Sequence, residues 1–550
     1  MNKLSIGCIF LFIVLINEHL AAQERHYLVR LKNKNNTPYT IDNPQAFLSN
    51  KAITRRTQQG IAITEKDLPV SPDYITAVTA MGATVRCALK WTNSLLVKAD
   101  ESVYNGLLQL NFVDDVRQVK SPKPNNPGGE KPIKKGMQVF EEVQTTQGTA
   151  SVDQNTMLGI DTMLSEGYNG AGLTIAVMDA GFRSVNLHTA FQHLFSSNRI
   201  LGVWDLVAND GSVFEDHNHG AEVLSNIAAN HPGELVSGGH GASFYLFRTE
   251  TVAEEFELEP VLLARAVEMS DSLGVDIINI SLGYNTFDNP TQDYTIAMLD
   301  GKTTIASRTL SEAAKKGMVV VTSAGNYGAN VSWDGRITAP ADADSILAVG
   351  AVNAQGERAG FSSTGPTADG RIKPDVAAQG VANKVANAST VDNYSFKNGT
   401  SFAAPCVAAL VAGFWQAYPQ LTAKEVVQII KQSGSIAAQP NNMLGYGIPN
   451  YRRAKTLVGI KQLLQNAEPL TLYPNPAKEK SVVMQLPKGA RKPEIQVYSN
   501  AGVKISNINI KTSKSAYTLD FGKIPVAPGV YTIILREGAQ IWHGKWVYQP

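Results

Sequence analysis

The chain has 550 residues, so at about 150 residues per folded unit three or four units are expected and a single small module is excluded. Hydrophobic residues make up 43% and charged residues 18%, which gives enough apolar side chain to bury large cores and excludes a generically disordered chain. Lys and Arg (49) nearly cancel Asp and Glu (48), and a net charge of +1 supplies no field for holding nucleic acid or an anionic membrane surface.

Residues 1–22 combine Lys3, an apolar run from Leu4 to Ile16, the polar break Asn17-Glu18-His19 and then Ala21-Ala22, the pattern of a cleaved signal peptide. The run is shorter than the roughly 20 residues that span a bilayer, and no later stretch does better, so no transmembrane anchor is expected in the mature form. Cys8 has too little apolar sequence before it for a lipoprotein site. It leaves with the leader, and Cys87 and Cys406 make no disulfide framework, so an exported protein of this size must rely on its cores.

Residues 23–120 read as a small α+β unit, with a strand at Tyr27 to Leu31, another near Ser94 to Val97 and a helix before Phe112. Residues 121–151 are expected to be an exposed linker, because Ser121 to Lys135 reads SPKPNNPGGEKPIKK, with Ile133 its one apolar residue apart from proline. Residues 152–463 change to apolar strands followed by helical patterns, the form of an α/β parallel sheet flanked by helices. Strands are expected at Leu173 to Met178, Ser243 to Phe247, Asp276 to Leu282, Met318 to Thr322 and Ile346 to Val352, and helices at Glu259 to Leu273 and Thr304 to Lys316. Thr422 and Glu425 have capping-box spacing before a further helix. Residues 469–550 carry short alternating runs, Glu494 to Tyr498, Tyr517 to Phe521 and Val530 to Leu535, separated by turn residues, which predicts a β-sandwich.

Three segments of the middle unit each present one member of a nucleophilic triad. LTIAVMDAG sets Asp179 just past a fully apolar strand, and parallel sheets gather ligands at such carboxyl ends. In DHNHGAEVLSNIAA, His219-Gly220 opens a helical stretch; His217 competes for the role, but no HExxH accompanies the pair, and no metal is assigned. In NGTSFAAPCVAALVAGF, Pro405 is tolerated only near a helix start, which puts Ser401 at the N-terminus, where unpaired N–H groups can face an anionic intermediate. Taken singly, a turn, a structural histidine and a helix cap are the better explanations of the three.

Their order and contexts together resemble the subtilisin-like serine peptidases over roughly residues 155 to 450, including INISLG, VVVTSAGN and ILAVGAV followed by FSSTGP. The resemblance implies a secreted serine endopeptidase that hydrolyses peptide bonds through an acyl-enzyme, with Ser401 as nucleophile, His219 as base and Asp179 orienting the imidazole. It also implies that Asn326 acts with the Ser401 N–H as oxyanion hole, and that Ser281, Leu282, Gly283, Ser323, Ala324 and Gly325 pair with an extended substrate. The sequence departs from the family in Asp179-Ala180-Gly181 and His219-Gly220-Ala221-Glu222, while keeping all three chemical groups.

The family's chemistry needs no cofactor; a structural calcium often stabilises it, and Asp205, Asn209 and Asp210 are its candidate ligands here, with a hydrophilic surface loop explaining them equally well. Residues 24–120 occupy the place of the family's propeptide, an intramolecular chaperone and inhibitor, so a zymogen is expected. LYPNPA at 472–477, with Gly529-Val530-Tyr531 and Lys545, resembles the C-terminal sorting domain of proteins exported by type IX secretion in Bacteroidetes. That implies the type IX machinery as partner, passage through the periplasm, then release or surface attachment. Glu254, Glu255, Glu257 and Glu259 fall where the family builds one wall of its cleft, and are read either as selecting basic residues upstream of the cut or as a solvated helix start. The floor of the primary pocket is expected near Arg336 to Thr338. Two alternatives stay open: a catalytically silent binding or adhesion protein on the same fold, and a processing peptidase of narrow specificity.

Overall fold

The computed structural model describes residues 25–121, 153–465, 467–488, 490–513, 515–522 and 524–550. The expected leader and the expected linker beyond Ser121 lie outside the described residues.

The first unit is an antiparallel sheet of β1 (His26–Leu31), β2 (Thr84–Leu89), β3 (Ser94–Lys98) and β4 (Val113–Lys120) in the order β2-β3-β1-β4. Helices α1 (Asn50–Gln58), α2 (Pro72–Ala80) and α3 (Glu101–Leu108) accompany it. Strand periodicity gives the sheet two apolar faces. Tyr27, Val29, Leu95 and Val97 pack with Tyr74, Val78 and Leu107 of its own helices. Leu28, Leu89, Leu96 and Val119 point the other way, into Phe256, Val261, Leu262 and Ile305 of the middle unit. Each fully buried side chain of this kind contributes roughly 1.5–3 kcal/mol, so the sheet is docked by its second face rather than merely tethered.

The middle unit runs α4 (Asp153–Leu158), α5 (Ile160–Ser165), β5 (Thr174–Asp179), α6 (Gln192–Ser196), β6 (Ile200–Asp205), α7 (His219–Ala228), a hairpin of β7 (Asn230–His231) and β8 (Leu235–Val236), β9 (Ser243–Arg248), α8 (Leu258–Leu273) and β10 (Ile277–Ile280). It continues with α9 (Ile305–Lys315), β11 (Val319–Ser323), β12 (Leu347–Val352), β13 (Val376–Gln379), a hairpin of β14 (Asn383–Ala386) and β15 (Tyr394–Lys397), α10 (Thr400–Ala417), α11 (Ala423–Gln432) and α12 (Tyr451–Leu464). Seven strands form one parallel sheet in the order β13-β12-β11-β10-β5-β9-β6. Ile175, Val177, Val319 and Val321 face α7 and α10, while Ala176, Met178, Ile278 and Val320 face α8 and α9. Because both faces are covered, the strands read as continuous apolar runs. The chain reverses its direction across the sheet around β5, so the carboxyl end of β5 is a topological switch point, where such sheets bind ligands. Among the described residues α10 is the helix long and apolar enough to cross a membrane, and 89% of its window is buried in this core.

Thr304 caps α9, and Thr422 with Glu425 closes a capping box at α11, the latter as its spacing predicts. Strands β6 and β13 depart from expectation for identifiable reasons. β6 is a half-exposed edge strand with a register shift between Ile200 and Gly202, so it shows no apolar run. β13 is four residues long and reads VAAQ, too short and too alanine-rich for strand propensity to announce it.

The tail packs two four-stranded sheets around Val482, Met484, Val497, Leu519, Phe521, Ile533, Leu535, Trp542 and Trp546. Its strands at Glu494–Ser499, Ala516–Asp520 and Gly529–Glu537 coincide with the alternating runs of the sequence.

Candidate active site

Asp179 is the last residue of β5 and is fully buried. Its Oδ1 accepts the Ala180 N–H at 2.8 Å and lies 2.7 Å from His219 Nδ1. A carboxylate can only accept, so Nδ1 carries the proton of that bond, and the basic atom of a neutral His219 ring is Nε2. His219 opens α7, and the residue after it must be glycine. A Cβ on Gly220 would lie 2.3 Å from the Gly181 carbonyl and 2.8 Å from the Asp179 Cβ. Gly181 itself has φ +145°, and a Cβ there would strike Asp216 and the His217 backbone at 2.5 Å. Gly181, two residues after Asp179, and Gly220, directly after His219, are what let strand end and helix start meet.

Burial is the largest influence on the His219 pKa and lowers it, but the charge and hydrogen bond of Asp179, helped by Glu222, outweigh it and hold the imidazole above its ordinary 6.5. Glu222 is the departure from the family's His-Gly-Thr-His. Burial raises its own pKa, against the opposing pull of Lys397 at 3.4 Å, and Asn218 Nδ2 donates to it at 2.6 Å. His217 turns its Nδ1 to the backbone N–H of His219, at 3.2 Å, and the His217/His219 pair gathers no third metal ligand among the described residues.

Ser401 is the second residue of α10. In a regular helix its carbonyl would accept the N–H of residue 405, but Pro405 has none. The freed carbonyl instead accepts the Ser281 hydroxyl at 2.8 Å, while the Ser401 hydroxyl donates to the Ser281 carbonyl at 3.1 Å. Asn326 follows β11, and its Oδ1 accepts both the backbone N–H and the hydroxyl of Thr400, each at 2.9 Å. Because a main-chain N–H can only donate, this bond fixes the amide: oxygen toward α10, with Nδ2 on the opposite branch.

One cleft is lined by His219, Ser401, Asn326, Thr400, Ser281, Leu282, Gly283, Ser323 and Gly325, together with Thr338, Tyr327, Glu250, Thr251 and Glu255. Five of the six expected strand-pairing residues are thus brought together. The exception is Ala324, which is fully buried, gives its N–H to the Val349 carbonyl and accepts Thr338 N–H. Its backbone is consumed inside the sheet and offers a substrate no edge. From the Arg336 to Thr338 segment it is Thr338 that reaches the cleft.

The acidic segment is not a solvated helix start. Glu254 pairs with Lys120 at 2.5 Å and Glu257 with Arg117 at 2.9 Å, both cations coming from β4 of the first unit. Glu259 is 2% exposed and accepts the Thr251 N–H. Glu250, which the sequence did not single out, is buried at the end of β9 and accepts from the Tyr284 and Thr249 hydroxyls. Burial, followed by the neighbouring carboxylates, pushes Glu250 and Glu259 well above the ordinary carboxylate range. Of the candidate calcium ligands Asp205, Asn209 and Asp210, the two aspartates are engaged by the protein's own donors. Asp205 Oδ1 accepts from the N–H groups of Val207 and Ala208 and its Oδ2 from Arg248, and Asp210 Oδ1 accepts the Ser212 N–H.

Residues 170–447 match the model of the Subtilase family. The chain belongs to the subtilase family. This subtilase is accordingly a serine peptidase, a hydrolase. Its residues 26–133 match the Peptidase S8 propeptide domain of Bacteroidota, and 471–549 match the Secretion system C-terminal sorting domain. It is therefore a subtilase with a propeptide and an export-sorting tail. It is similar to Subtilisin DY of Bacillus licheniformis, 29% identical over 272 residues that cover 49% of this chain and 86% of that one. It is also similar to a thermostable alkaline protease of Halalkalibacterium halodurans, 27% identical over 292 residues, covering 53% and 69%. Among solved structures, the MycP3 protease of the type VII (ESX-3) secretion system overlaps 57% of this subtilase and 90% of its own chain at 23% identity and TM-score 0.46.

Proposed function

We propose that this subtilase is a secreted endopeptidase in which Ser401 attacks the peptide carbonyl, His219 Nε2 takes its proton, and Asp179 holds the ring and stabilises the imidazolium. The tetrahedral oxyanion is received by Asn326 Nδ2 and the Ser401 N–H, the latter an N–H of the first turn of α10 with no partner within the helix. His219 then returns the proton to the leaving amine, and water hydrolyses the acyl-enzyme by the same relay. The backbone of Ser281 to Gly283 and of Ser323 and Gly325 pairs with the extended substrate. None of these steps calls for a cofactor.

The observation that carries the reading is the 2.7 Å bond between buried His219 and Asp179 in the cleft that also holds Ser401, at the start of α10. In this scheme residues 23–120 fold and inhibit the peptidase unit 152–463, cutting falls within 121–151, and 469–550 directs type IX export through the periplasm to release or to the cell surface. The full-length chain and its Ser401→Ala variant, compared for casein digestion and for cuts between Ser121 and Asn155, test the proposal. Both activities are expected in the parent chain and neither in the variant; casein digestion that survives the substitution overturns the assignment of the nucleophile.

A further inference from the structure

The carboxylates of Glu250, Glu255 and Glu259 each place an oxygen within 4.8 Å of the other two. Ionised carboxylates at that spacing repel and burial deepens the cost, so either protons or a cation must sit among them. Glu250 is held by the Tyr284 hydroxyl, and Glu259 Oε1 accepts the Thr251 N–H. Glu259 Oε2, on a side chain only 2% exposed, has no hydrogen-bond partner. An acceptor so placed is either protonated or built to receive a donor. The cluster also has an entrance: Glu250 and Glu255 line the same cleft as His219 and Ser401.

We infer that Glu250, Glu255 and Glu259 form a receptor for the side-chain ammonium of a substrate lysine, held upstream of the bond that is cut. The inference rests on the peptidase reading given above. The position follows from Tyr284, which anchors Glu250 and directly succeeds Ser281 to Gly283, the edge proposed to pair with the extended substrate. The preference for lysine follows from shape. Acceptors 2.8 Å from a tetrahedral nitrogen stand about 4.6 Å apart, which suits one point charge with three donors, whereas a planar guanidinium spreads its donors over a wider fork. The neighbouring acids agree on the sign of the ligand: Glu254 and Glu257 already hold Lys120 and Arg117 of the last strand of the first unit.

The test measures kcat/KM of the processed protein on matched peptides carrying lysine, arginine or uncharged norleucine at each upstream position in turn. At one position lysine is expected to exceed norleucine by at least about tenfold, the value of a desolvated charge-assisted contact, with arginine between them. Glu255→Gln and Glu250→Gln should erase that ratio. Equal rates for lysine and norleucine at every position, with cleavage intact, overturn the receptor and leave the peptidase reading standing. A cluster that instead holds a divalent ion would show a calcium-dependent rise in melting temperature, lost in the same variants, without any lysine preference, and that also overturns the receptor. Failure to cleave any of the peptides sinks the peptidase reading and the receptor with it.

Discussion

The two ends of the seven-stranded sheet use charge in opposite ways. At the carboxyl end, around β5, β10 and β11, His219, Ser401 and Asn326 line an open cleft, with Asp179 buried behind His219. At the amino end the same strands are sealed by α1 of the first unit. Arg55 donates to the carbonyls of Val275 and Lys316, which precede β10 and β11, and to Asp271, while Gln59 donates to the Gly317 carbonyl. Arg56 and Lys90 also converge on Asp271, and Lys316 pairs with Asp67. Arg55, Arg56, Asp67 and Asp271 are at most 3% exposed at the side chain. Strand ends leave main-chain groups without ladder partners. Here one end keeps its space for a substrate, and the other is satisfied by the propeptide. The first unit therefore grips the peptidase by an apolar face on α8 and α9, by the pairs of Arg117 and Lys120 with Glu257 and Glu254, and by ions on the far side of the sheet from the candidate site.

Breaking the amino-end grip should have the larger structural effect. In the uncut Ser401→Ala precursor, Arg55→Ala leaves Asp271 and two carbonyls short of a buried donor and should remove about 3–5 kcal/mol of stability, read as a lowered denaturation midpoint. If the midpoint is unmoved, the charged cluster is not a hold. At the carboxyl end, Asn326→Ala should lower kcat by roughly 10²–10³-fold with little change in KM, a magnitude that comes from the equivalent loss in a subtilisin. A variant that raises KM alone would make Asn326 a binding residue instead.

The pH dependence of the two ends should also differ. Burial under the propeptide raises Glu268 to about 7 from its ordinary 4.5, against the pull of Lys90, and its carboxylate accepts the N–H groups of Lys90 and Trp91. Docking therefore takes up a proton: this group favours docking most below about pH 4.5, and the advantage is lost as pH rises to about 7. Asp271, whose burial is outweighed by Lys90, Arg55 and Arg56, is held below its ordinary value and acts with the opposite sign in stronger acid. Retention of cut propeptide on the peptidase should thus decline between pH 5 and 7, and Glu268→Gln should flatten the decline. The smallest effect is expected at Glu222, which helps hold His219 above 6.5. Activity rises as His219 loses its proton, so Glu222→Gln should move the acid limb of kcat/KM to lower pH, and a shift upward would contradict the electrostatics described here.

Sequence reading reached most of the carboxyl end and little of the amino end, for a physical reason. Asp179, His219 and Ser401 sit at junctions where local rules speak: a strand end, a helix start followed by glycine, and a helix start marked by Pro405. The amino-end cluster joins Arg55 to Asp271 and Lys316, separations of 216 and 261 residues, and no periodicity connects them. Glu250 escaped notice because a lone acid after a strand resembles a turn residue until the fold brings Glu255 and Glu259 beside it. Ala324 was included by its neighbours' pattern, and only its place inside the sheet, between Val349 and Thr338, takes it out of the cleft.

The most direct test of the central claim, that the open end of the sheet is a nucleophilic serine site, is intact-mass analysis of the processed protein after exposure to a fluorophosphonate. A single adduct on the peptide containing Ser401 is predicted, absent when the protein is unfolded first and absent in His219→Ala. A folded, propeptide-free protein that takes up no adduct, or carries it on another serine, would contradict the account.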